Sequence, residues 1–162
     1  MKIDDLYQEI ILDHYRTKHH SGLREPYEVE VHHVNPNCGD EVTLRLRLDG
    51  DEIADVSYQA VGCSISQAST SVMTDLVIGR PVAVGFELHD EFLALMQGQG
   101  NVEPDEERLE DAVAFAGVAR FPARVKCALL GWSAFKDAAI RASGAETLTG
   151  NGQRPGDERS RS

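Results

Sequence analysis

The residues whose types allow chemistry are three cysteines, Cys38, Cys63 and Cys127, together with one aspartate, Asp40. Cys38 and Asp40 share the loop Asn35-Pro36-Asn37-Cys38-Gly39-Asp40, Cys63 sits in Val61-Gly62-Cys63-Ser64, and Cys127 follows Phe121-Pro122-Ala123-Arg124-Val125-Lys126. An odd number of thiols cannot close a disulfide framework, so these residues are expected to be free thiols in a reducing compartment. Three thiolates and a carboxylate make a four-ligand set, and thiolate-rich tetrahedral sites suit zinc or iron–sulfur chemistry. The chain has no Cys-x-x-Cys knuckle. The fold must therefore gather the ligands from three distant segments, and spacing alone leaves inert, packed cysteines as the alternative.

Each cysteine falls where the backbone should turn. Pro-Asn-Cys-Gly-Asp is turn chemistry, with Gly39 free to take a positive φ. Gly62-Cys63-Ser64 joins a strand-like run to a helical one, and Cys127 lies in the first turns of a helix opening near Pro122. Helix N-termini lower thiol pKa values, and Arg124 and Lys126 would add positive charge beside Cys127. Other residues invite a plainer reading. The pairs His19-His20 and His32-His33 lack the spacing that puts two ligands on one face, so they are assigned to surface or strand positions. Trp132, Phe135 and Ile140 have the spacing of core residues on a helix.

The elements that must position the thiols can be traced from hydrophobic period. Asp4 or Asp5 would cap a first helix in which Leu6, Tyr7, Ile10, Ile11 and His14 fall at helical spacing, ending near Arg16. Three strands are expected over 27–34, 42–48 and 53–61, the second alternating Val42, Leu44, Leu46 and Leu48 with Thr43, Arg45 and Arg47. Asp49-Gly50-Asp51-Glu52 between the last two strands is a hairpin turn, which makes the sheet antiparallel. Helices are expected over 66–78, 89–96, 106–115 and 122–141, with Gly79 as the residue that ends the first of these. Strands followed by helices indicate an α+β domain, a small antiparallel three-stranded sheet with helices packed on one face. This domain is assigned to residues 1–142, and the Gly, Thr, Ser and Arg-rich tail 143–162 to disorder.

Composition narrows the function classes. A chain of 162 residues, 41% of them hydrophobic, suffices for one domain with a real core. A formal charge of −11 argues against nucleic acid or an anionic membrane as partner. The longest near-apolar run, 112–119, is far too short to span a bilayer, and a cytoplasmic location is expected. An acidic stretch, 101–111, carries Glu103, Asp105, Glu106, Glu107, Glu110 and Asp111 against Arg108 alone, as either a solvated face or a docking surface.

The Asn-Cys-Gly-Asp loop, the Gly-Cys-Ser segment that begins a helix and the Phe-Pro-Ala-Arg-Val-Lys-Cys-Ala stretch resemble the NifU/IscU-like iron–sulfur assembly proteins, most closely their SufU-type branch. The resemblance runs over about 6–140. The scaffold proteins of that family carry His before the last cysteine, where this chain has Lys126, and the acidic stretch resembles the SufU-type insertion. The resemblance implies a zinc site at Cys38, Asp40, Cys63 and Cys127 and sulfur acceptance from a SufS-type cysteine desulfurase, with downstream iron–sulfur assembly proteins as further partners. It also implies that a desulfurase His replaces the ligand lost when a cysteine leaves the metal. Cys38 is the expected acceptor because it rides on a Pro/Gly loop, while Cys63 and Cys127 are tied to helix starts. Arg124 is expected to support it as a positive charge that stabilises a persulfide. The alternatives are a scaffold holding iron as a transient [2Fe–2S] cluster on the same residues, and a purely structural zinc module.

Overall fold

A computed structural model describes the backbone of residues 3–36 and 39–151, and the side chains of 5–36 and 39–143. Strands β1 (Val29–Asn35), β2 (Asp40–Asp49) and β3 (Glu52–Val61) form one antiparallel sheet in the order β1-β2-β3. The alternation in β2 sets its register: Val42, Leu44 and Leu46 are buried, while Thr43, Arg45 and Arg47 take the other, half-buried face. The turn between β2 and β3 pairs Asp49 with Glu52 around Gly50, whose φ of 61° suits glycine in a tight hairpin. On the polar face Arg45 pairs with Glu30 and lies over the Tyr27 ring.

Helix α1 (Ile3–Thr17) precedes the sheet. Its start at Ile3 puts Asp4 and Asp5 inside the first turn, where acidic residues favour the helix dipole, so neither is the cap expected from sequence. Leu6 of this helix is 46% exposed, and His14 rather than an apolar residue is the one buried most deeply. Helices α2 (Ser64–Val77), α3 (Val82–Gln97), α4 (Glu106–Leu109), a 3₁₀-helical segment (Glu110–Arg120) and α5 (Pro122–Asn151) follow the sheet. Helix α3 starts seven residues earlier than position 89, because Pro81 supplies a good N-terminal φ and Val82 is already buried. The segment expected as a helix over 106–115 is one short α-turn followed by the 3₁₀ segment. Helix α5 runs past Arg141 to Asn151, so 143–151 of the segment assigned to a disordered tail is helical; 152–162 lies outside the described residues.

Helix α5 lies against β1, β2 and α2, which makes it the floor of the sheet. Its approach to α2 depends on a glycine: a Cβ at Gly131 would sit 2.2 Å from Thr70 Oγ1. Beside it, Ser69 of α2 donates to the Ala128 carbonyl at 2.6 Å, tying the two helices together at the residue next to Cys127. The core centre is aromatic, with Trp132 stacked on Phe92 at 5.0 Å and Phe115 edge-on to Phe92 at 5.9 Å. Trp132 and Phe135 are fully buried as expected, but Ile140 is 51% exposed. The buried stripe of α5 passes through Ala138, Ala139 and Ala142, and 100° per residue turns Ile140 away from it. Among the described residues no helix is long and apolar enough to cross a membrane.

Candidate metal centre

Asp40 begins β2, Cys63 immediately precedes α2, and Cys127 lies in the second turn of α5. The sheet and the two helix starts bring one ligand atom from each of these three residues within 4.8 Å of the other two. Cys38 and its neighbour Asn37 lie outside the described residues. The flanks of their loop are fixed nevertheless: the Gly39 amide donates to the Asn35 carbonyl at 2.9 Å, and Gly39 has the positive φ, 71°, expected from sequence.

Asp40 is fully buried, Cys127 is buried and Cys63 is partly open. The Asp40 carboxylate accepts the Cys63 amide at 2.9 Å through Oδ1, and its Oδ2 lies 3.8 Å from Cys63 Sγ. Cys63 Sγ also lies 3.9 Å from Ser66 Oγ, which itself donates to the Cys63 carbonyl at 3.1 Å. Cys127 Sγ lies 3.6 Å from the Ala123 carbonyl. Gly62 lets the chain pass this close: its φ is 145°, and a Cβ there would lie 2.1 Å from Asp40 Oδ1.

The donor chemistry fits a cation. A carboxylate with no access to water is costly unless a positive charge or several donors neutralise it. Among the described residues no lysine, arginine or histidine forms an ion pair with Asp40. Its surroundings are instead two thiols, the ligands zinc prefers. Asn35, the cross-strand partner of Asp40, is buried on the same sheet face, and its side-chain Nδ2 has no hydrogen-bond partner among the described residues. That orphan donor marks the same end of the sheet as polar.

Arg124 and Lys126 are exposed on the opening turns of α5. Arg124 lines an open cleft with Tyr7, Ile11, Ile65, Arg120 and Phe121, between α1 and the starts of α2 and α5 that carry the thiols. The adjacent histidine pairs divide. His32 is exposed between Thr43 and Glu41, whereas His33 faces α5 and bonds Asp137 at 2.8 Å. Burial would push the Asp137 carboxyl up, but hydrogen bonds from His33 and Arg141 outweigh it and hold it low. His19 and His20 both lie against Asp75, and His14 joins them, an association that the adjacent spacing of the histidine pair did not suggest. The acidic residues of 101–111 are exposed, and Arg108 ties the stretch to Glu87 and Glu91 of α3 at 3.0 and 2.6 Å.

Residues 6–128 match the NifU-like N terminal domain family. The chain is 41% identical to the iron-sulfur cluster assembly scaffold protein IscU of Streptococcus pyogenes serotype M1, over 91% of each chain. It is 37% identical to the zinc-dependent sulfurtransferase SufU of Bacillus subtilis, over 88% of this chain and 95% of that one. Among solved structures, FiSufU of Fervidobacterium islandicum AW-1 is similar with a TM-score of 0.75 and 38% identity, covering 81% of this chain and 94% of that one.

Proposed function

Because the chain belongs to the NifU-like N-terminal domain family of iron–sulfur cluster assembly proteins, we propose that it is a zinc-dependent sulfur acceptor that takes persulfide sulfur from a SufS-type cysteine desulfurase. The observation that carries this reading is a fully buried carboxylate, Asp40, set against the thiols of Cys63 and Cys127 with no cationic side chain to neutralise it among the described residues. Cys38, two residues before Asp40, is the fourth ligand and the acceptor. Lys126 in place of the histidine of scaffold proteins, and the similarity to a relative named as a zinc-dependent sulfurtransferase, support the same reading.

Zinc bound at this centre would keep the thiols deprotonated without redox chemistry of its own. Asp40 completes the set through oxygen while its other oxygen holds the Cys63 amide, so it stays oriented when a neighbour moves. The Cys38 thiolate attacks the outer sulfur of the desulfurase persulfide. A new sulfur–sulfur bond forms on Cys38, the old one breaks, and its electron pair leaves on the desulfurase cysteine as thiolate. No external oxidant or reductant is needed. Arg124 and Lys126 supply positive charge along the approach to Cys127 and favour the anionic product. The persulfide then passes to downstream iron–sulfur assembly proteins in the cytoplasm.

The similarity to a relative named as a cluster scaffold favours a second reading, in which the same four residues hold a [2Fe–2S] cluster as cargo. Anaerobic purification separates the two: zinc at the thiol centre in a colourless protein supports the acceptor, and iron with brown colour supports the scaffold. Cys38→Ser is expected to abolish stimulation of a matched desulfurase, and mass spectrometry after incubation with desulfurase and cysteine should find the added sulfur on the Cys38 peptide. Sulfur found on Cys127 alone overturns the acceptor assignment. Retained zinc and fold with lost stimulation in Cys38→Ser overturns the purely structural module.

A further inference from the structure

A second group of metal-ligand side chains lies away from the thiols. His14 near the end of α1, His19 in the segment after it and Asp75 of α2 each offer a ligand atom within 4.8 Å of the other two. The His14 and His19 rings approach to 4.6 Å between centroids. His19 Nδ1 lies 2.6 Å from one oxygen of Asp75, and His20 Nε2 lies 3.2 Å from the other. The turn that presents both histidines to Asp75 uses positive φ values at Lys18 (47°) and His20 (63°).

The hydrogen bonds around His14 define its tautomer. Its Nε2 lies 2.9 Å from the Asp111 carboxylate, which can only accept, so the neutral ring carries its proton there. Its Nδ1 lies 2.8 Å from Ser71 Oγ and presents a lone pair. Ser71 Oγ in turn accepts the His19 amide at 2.9 Å. A carboxylate behind a histidine whose other nitrogen faces a cluster of donors is the arrangement that orients metal-ligating histidines. Tyr58 of β3 lies beside it, 1% exposed, with Ser71 and Asp75 as the polar groups that act on its hydroxyl.

We propose that His14, His19 and Asp75 form a second site for a divalent transition-metal ion of the zinc class, with Asp111 orienting His14. Two imidazoles and a carboxylate match the donor preference of such ions, and they exclude the softer, thiolate-dependent chemistry of the first centre. The ion replaces the proton shared by His19 and Asp75. Once bound, it joins the end of α1 to α2, and through Asp111 to the 3₁₀ segment.

The test is a titration of the full chain with zinc and with cobalt(II) as its coloured substitute. Two equivalents are expected to bind. The first gives the intense near-ultraviolet absorption of thiolate–cobalt bonds, and the second adds only weak visible bands and shifts the imidazole nuclear magnetic resonances of His14 and His19. His19→Gln and Asp75→Asn should each weaken the second equivalent at least tenfold while the thiolate band persists, which shows the fold intact. A single equivalent in the wild type, or imidazole resonances that do not move with the second, overturns the site. So does a second equivalent undiminished in both variants.

Discussion

Gly62 decides whether Asp40 and Cys63 can coexist. With φ at 145° and a hypothetical Cβ 2.1 Å from Asp40 Oδ1, no side chain fits without displacing the carboxylate. Gly62→Ala is expected to cost about 2 kcal/mol or more in urea unfolding, and to weaken zinc at least tenfold in a chelator competition. An unchanged zinc affinity would show that Asp40 is not a ligand. The turns at Gly39 and Gly62 were legible beforehand, because Gly and Pro beside cysteine signal a change of chain direction. The pairing of Asp40 with the Cys63 amide was not, because it joins residues 23 apart in sequence and only the sheet register brings them together.

The segment between α1 and β1 is held against β3 by the Gly22 amide, which donates to the Tyr58 carbonyl, and by Arg24, which bonds Asp55 through both Nε and Nη2 and donates to the Val56 carbonyl. The hydrogen bonds from Arg24 hold the Asp55 carboxyl below its usual range despite partial burial. A carboxyl lowered in the folded state adds stability above its unfolded pKa of about 3.9. That contribution is lost as pH falls through the lower folded value. Arg24→Ala should therefore cost about 0.5 kcal/mol at pH 7 and progressively less below pH 4, as measured by urea unfolding across that range. The strands themselves were readable from alternation in Val42, Leu44 and Leu46. The start of α3 and the 3₁₀ segment were not. Val82, Val84 and Phe86 carry no polar cap, and in Ala112 to Ala119 small residues pack closely without a helical stripe.

The thiol centre sits where three parts of the molecule meet, so binding there and folding share free energy. Cys127→Ser or exhaustive chelation is expected to remove the metal and lower the melting temperature by about 5 °C or more, on the order of 2 kcal/mol. Calorimetry with and without zinc checks this, and a Cys127→Ser protein that keeps full zinc occupancy would contradict it. The order of strands and helices was visible in the sequence because each element carries its own period. How α5 reaches back to the first strand was hidden, since His33 and Asp137 lie 104 residues apart. The Cys63 amide donates to the Asp40 carboxylate. A carboxylate that shares its charge with a bound cation accepts that hydrogen bond less strongly, so the Cys63 amide resonance is a built-in spectroscopic gauge of whether the neighbouring centre is loaded, readable in solution without adding any label.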